Sequence, residues 1–256
     1  MAGPARLAII SAMSKDAPNY SRTRDTYFRQ TQRPINSLVF LLPLLLVFHV
    51  GTIFFGSMDQ LKAPEELKRF GILMVGIGPA VNYLPPFLVV GMLLLMQFSR
   101  HEKWGVRKKA VVGMAAESLL WMAPLVAMAM LASRLLLAAS AGKPLLQGVL
   151  LAVGAGIYEE FLFRLLLVGG AILLLSDVLG IHRSTVSVWA AVVAGIAFSL
   201  YHFGPGHQFK FSEFVIRALA GIYLGGLYLF RGFGIAVGAH VAYDIYAALA
   251  FSTSPS

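Results

Sequence analysis

Residues 145 to about 175 form an apolar run whose only charges are Glu159, Glu160 and Arg164, within Gly156-Ile157-Tyr158-Glu159-Glu160-Phe161-Leu162-Phe163-Arg164. A run of this length can cross a bilayer, which takes about 20 residues as a helix. In hydrocarbon every backbone N–H and C=O must be satisfied internally, so the run reads as helix. Each charged group at bilayer depth costs about 3 kcal/mol on an insertion scale. Such groups persist where they face a protein interior or a water-filled cavity. Glu159, Glu160 and Arg164 therefore mark a buried polar site in a membrane protein.

The rest of the chain has the same character. Of its 256 residues, 58% are hydrophobic and 13% charged, about half the roughly 25% charge content of a soluble domain. The fold class that follows is all-α, a polytopic integral membrane protein with about seven (six to eight) transmembrane helices. It divides into a basic tail (1–36), N-terminal transmembrane helices (37–143), and the transmembrane helices that carry the polar groups (144–256). No separate soluble domain fits in the remaining length.

The net charge of +9 does not form a nucleic-acid-binding stripe. Its cations collect in the tail and the short loops, so the expected partner is the lipid bilayer and not nucleic acid. Alternate loops place 13 of the 21 Lys and Arg on the side of the N-terminus and six on the other. That bias predicts a cytoplasmic N-terminus in the cell (inner) membrane. The apolar patch 7–13 is short for a signal-peptide core and a long polar segment follows it, so the tail is read as retained. There is no cysteine, which excludes disulfides, thiolate metal sites and a cysteine nucleophile.

The first span is expected over residues 37–56, with His49 packed within it, and a solvated segment over 57–70. A second span over 71–98 is interrupted by Asn82 and Pro85-Pro86, where a kink is expected. The basic loop 100–109 carries Trp104, suited to the membrane interface. A third span, 110–131, contains Glu117, a proton-relay or partner candidate, and Pro124, a bend. After the central run come a loop at 177–187, a fifth span ending at His202, and a turn at 203–207. The sixth span, 213–230, opens with Glu213 and Arg217 as an ion pair and carries Gly221 and Gly225 as a small-residue face for close helix approach. Arg231-Gly232 is a tight turn before the last span, 233–250.

Three helices thus bring polar groups into apolar surroundings: Glu159, Glu160 and Arg164; His202; and His240 with Asp244. Glu160 and Arg164 are one turn apart, as are His240 and Asp244. Arg164 can hold Glu160 ionised, and Asp244 can orient His240 and fix its tautomer. Glu159 is turned by about 100° from Glu160. A carboxylate with two histidines can activate water against a carbonyl, with Glu159 as general base. One histidine shares that water and the other bonds the oxyanion. The same inventory can instead ligate zinc through Glu159, His202 and His240. No H-E-x-x-H is present.

Glu159-Glu160-x-x-x-Arg164, Phe198-x-x-x-His202 and His240-x-x-x-Asp244 resemble the three ordered motifs of the CPBP intramembrane protease family. That family includes type II CAAX prenyl endopeptidases and bacteriocin-processing and immunity proteins. The resemblance covers residues 145 to about 250 and implies an intramembrane peptidase whose first motif glutamate activates water. Carried over, Glu159, His202 and His240 are catalytic, and Glu160, Arg164, Phe198 and Asp244 shape the site. The family often has asparagine where Asp244 stands. An ionised aspartate cannot donate a hydrogen bond to an oxyanion, so orienting His240 is the role expected of it. No cofactor is expected, with zinc as the alternative. The substrate implied is a membrane-associated protein or peptide, of which a prenylated CAAX protein is one form. Competing readings are a non-catalytic scaffold or immunity protein of the same fold, and a proton-coupled transporter.

Overall fold

The computed structural model describes residues 26–55, 84–131, 145–203 and 208–252. The apolar patch 7–13, the solvated segment 57–70, Asn82 and the linker 134–143 lie outside the described residues. So do residues 204–207 of the expected turn. The described residues are mostly helical, with no strand among them. In chain order the helices are α1 (Tyr27–Thr31), α2 (Pro34–Phe55), α3 (Leu84–Ser99), α4 (Lys108–Trp121), α5 (Ala123–Leu131) and α6 (Leu145–Glu160). Wider π-helical turns continue α6 over Phe161–Gly169 and Ile172–Val178, and α7 (Arg183–Tyr201), α8 (Phe211–Arg231) and α9 (Phe233–Ser252) follow. Among the described residues six helices are long and apolar enough to cross a membrane, with the shorter apolar Pro85–Ser99 beside them.

Beside Pro124, where a bend is expected, the helix is interrupted at one residue: α4 ends at Trp121 and α5 begins at Ala123. Proline lacks the N–H that would bond one turn back, so the ladder is interrupted there. Pro85 and Pro86 lie at the edge of the described residues, so the expected kink there falls outside what the structure describes. The loop expected over 177–187 contracts to 179–182. Gly180, with φ +74°, is the only residue there in a left-handed conformation, and helix resumes at Arg183. The helical segment Leu145–Val178 spans 34 residues, well beyond the about 20 that cross a hydrocarbon core, so it must tilt or bend in the bilayer.

α9 is the central helix. Of its spanning stretch, 61% is buried, against 17% for Lys108–Leu131. It packs on α6, α4, α8 and α2, while α7 packs along α8. Two close approaches position the site. A Cβ at Gly221 would lie 2.8 Å from the Cα of Gly195, so α7 and α8 touch backbone to backbone, as the small-residue face predicts. A Cβ at Gly156 would lie 2.5 Å from Val241 Cγ2, bringing α6 and α9 together one turn before Glu160 and beside His240.

Residues 27–36 of the basic tail are folded onto the bundle. Gln30, Thr31, Arg33 and Asn36 are buried. Arg33 bonds the backbone carbonyls of Lys103 and Gly105 and pairs with Glu102 at 3.5 Å. Gln97 Oε1 accepts from the backbone N–H of Ile35 at 3.1 Å. Each of these polar side chains finds at least one hydrogen-bond partner, which offsets part of the cost of burying it.

Candidate active site

Glu159 and Glu160 end α6, and the widened turns begin at the next residue. A π-helical stretch is uncommon and is often found beside functional groups; nothing in the sequence pattern announces it. Successive side chains on a helix point about 100° apart, and the two carboxylates meet different neighbours accordingly.

Glu160 is wholly buried. Its Oε1 lies 2.9 Å from Arg164 Nη1 and 2.8 Å from His240 Nδ1. Arg164, also wholly buried, donates from Nη2 to the carbonyl of Gly221 at 3.1 Å. Burying an ion pair is tolerable only with such further hydrogen bonds. His240 Nε2 lies 3.4 Å from Asp244 Oδ2. Asp244, Glu160 and Arg164 thus form a chain through the His240 ring, spanning α9, α6 and the π-helical turn.

Glu159 faces His202. Its Oε2 lies 3.8 Å from His202 Nε2, and the two side chains are 13% and 30% exposed. His202 caps the C-terminus of α7, and its Nδ1 donates to the carbonyl of Phe198 at 2.8 Å. That bond fixes the tautomer of a neutral ring and leaves Nε2 an acceptor turned toward Glu159. Two acceptors at 3.8 Å do not bond directly, but a water between them can donate to both.

Phe198 is the plate on which these groups are arranged. Its ring lies 4.8 Å from that of His202 and 5.9 Å from that of His240, and Arg164 Cζ sits over it at 5.0 Å. Phe163 packs edge-on against both Phe198 and Tyr201. Ser199 donates to the carbonyl of Phe214 at 2.7 Å, tying the end of α7 to the start of α8.

All seven residues singled out in the three motifs therefore meet. Spacing along the chain does not reveal the contact between Glu160 and His240, nor the parts taken by Phe163, Ser199 and the Gly221 carbonyl. These depend on how helices are rotated against each other, which no spacing within one helix encodes. Other candidates lie elsewhere. His49 donates from Nδ1 to the Leu45 carbonyl and accepts from the Tyr158 hydroxyl at 3.1 Å, the packed role expected of it. Glu117 binds Arg231 Nε and Nη2 at 2.5 and 2.7 Å, with Tyr27 and Trp121 also donating to it, so it clamps helices and touches none of the motif residues. Burial and then the bond to Glu117 push the Tyr27 phenol above its ordinary range. Glu213 and Arg217 pair at 3.0 Å, as expected.

Among the described residues no three His, Asp or Glu side chains are arranged to hold a metal ion. In the set Glu159, His202 and His240, both ring nitrogens of His240 are turned to Glu160 and Asp244 instead.

Residues 141–246 match the family model described as type II CAAX prenyl endopeptidase Rce1-like. The match contains all three motifs. This is the family their residues resemble. No curated protein and no solved structure matches the chain.

Proposed function

We propose that the protein is an intramembrane endopeptidase that hydrolyses a peptide bond of a membrane-associated protein or peptide, using water activated by Glu159. The observation that carries this reading is the partly exposed Glu159–His202 pair at 3.8 Å, beside a buried chain of charges that can hold His240. Water shared by Glu159 Oε2 and His202 Nε2 gives its proton to Glu159 as it attacks the carbonyl. Glu159 then passes that proton to the leaving amine.

Glu160 accepts from His240 Nδ1 and fixes the ring. Nε2, with the longer contact to Asp244, is the nitrogen with a hydrogen to offer the oxyanion. Asp244 orients the ring. Arg164 pairs with Glu160, and Phe198 packs against the rings of both His202 and His240. The family match supports a CAAX-type protease; a prenylated C-terminal segment is accordingly the first substrate to try.

The test uses purified full-length protein in detergent micelles with fluorogenic peptides, prenylated and unprenylated. Glu159→Gln is expected to lower cleavage by about 10²–10⁴-fold, the usual worth of a general base. Cleavage by the native protein is expected to survive a strong chelator. Cleavage retained in Glu159→Gln would sink the mechanism. Loss to the chelator with recovery on adding zinc would replace it with the zinc alternative.

A further inference from the structure

A cavity of about 220 Å³ lies away from the motif cluster, where the ends of several helices meet. Arg100, just past α3, and Arg183, first residue of α7, line it together with Tyr228, Gln32, Met96 and Ile172. Ile172 is eight residues beyond Arg164 on the same continuous helical segment, so the cavity shares no residue with the cluster. Two cations and the Tyr228 phenol thus face one cavity from three places in the chain.

The walls differ in kind. Arg100 and Arg183 are exposed on the cationic side. Leu93 and Ile172 make a buried apolar wall, and their outward neighbours Leu95 and Leu173 are 61% and 62% exposed. Nearby, Trp104 packs its ring 4.9 Å from that of Phe98, and both are exposed, as residues seated at a membrane surface are. Arg183 already pairs with Asp177 at 2.9 Å. Among the described residues no carboxylate pairs with Arg100.

The volume is below the about 300 Å³ at which pockets begin to take drug-sized ligands, so a peptide substrate does not fit. A single phosphate with the first atoms of an ester does. Guanidiniums suit phosphate because their N–H groups match its oxygens in pairs. Basic pockets at the ends of transmembrane helices take anionic headgroups by this chemistry.

We infer that this cavity binds the phosphate of an anionic phospholipid, with Arg100, Arg183 and Tyr228 on the phosphate and the acyl chains leaving along the exposed face beside Ile172. The inference does not rest on the proposed protease activity.

The test is native mass spectrometry of the delipidated full-length protein in a neutral detergent, titrated in parallel with phosphatidylglycerol, phosphatidylcholine and inorganic phosphate. Phosphatidylglycerol is expected to bind more tightly than phosphatidylcholine. The Arg100→Gln/Arg183→Gln variant should bind it roughly thirtyfold more weakly, the order expected for two cations at a membrane surface. The Arg100→Lys/Arg183→Lys variant should fall between, which excludes misfolding as the cause. Equal binding of phosphatidylcholine, unchanged binding in the double Gln variant, or displacement of the lipid by equimolar inorganic phosphate each overturns the assignment.

Discussion

Glu159 and Glu160 are chain neighbours with opposite environments, and the account gives them opposite roles. Glu160 is sealed against Arg164 and His240, whereas Glu159 keeps some exposure beside His202. Removing the charge of Glu160 strands the buried Arg164. Glu160→Gln is therefore expected to cost about 3–5 kcal/mol, seen as a lower unfolding temperature in detergent, while Glu159→Gln unfolds close to the native protein. Equal stability of the two variants would contradict this division. Asp244 supplies a second contrast. If it orients His240 by accepting a hydrogen bond, the carbonyl oxygen of Asn can do the same. Asp244→Asn is then expected to keep cleavage within about tenfold and Asp244→Ala to lose more, a step of about 1.4 kcal/mol per factor of ten. Equal loss in both would mean that the charge itself is needed. The pairs inside one helix, Glu160 with Arg164 and His240 with Asp244, were legible from spacing. The bond from Glu160 to His240 spans 80 positions and was not, because it depends on where two helices face each other.

At the scale of elements, the site is held by the two close helix approaches. Gly221 meets Gly195 backbone to backbone, and its carbonyl accepts from Arg164, so α7, α8 and the π-helical turn are fixed at one point. Gly221→Val would force these helices apart, at a cost of about 1–3 kcal/mol for overpacking. At Gly226 a new Cβ would meet nothing within 4 Å, so Gly226→Ala is the control expected to cause no loss of stability. Thermal unfolding of both variants in detergent checks this, and an undisturbed Gly221→Val would contradict the crossing. The spans and the small-residue face were legible because hydropathy and residue size act locally. The π-helical turns after Glu160 and the shortened loop at 179–182 were not. Both lie where the continuation of α6 packs on α7, and no residue type signals the change.

For the whole molecule, the fold class followed from apolar runs that had to become helices. The tail was only half legible. Its charge pointed to a membrane surface, but the partners that bury Gln30, Thr31 and Arg33 come from residues 97–105 and from elsewhere in the tail, far apart or irregular in sequence. Arg231, clamped by Glu117, lies with its guanidinium 3.5 Å from the centre of the Phe28 ring, securing that tail to the far end of α8. The bias of Lys and Arg predicts that this end faces the cytoplasm. A tag at the N-terminus should then resist protease in intact spheroplasts and be cut after lysis; cleavage in intact spheroplasts would reverse the orientation.

The claim that joins these scales is that Glu159 makes this bundle a protease. It is tested most directly by comparing the peptide termini in membranes of cells carrying the native protein with those carrying Glu159→Ala, at matched expression. The account predicts a set of new termini in membrane-associated proteins that appears only with the native protein. Identical termini in the two, with both proteins inserted and folded, would contradict it and leave a non-catalytic scaffold as the better description.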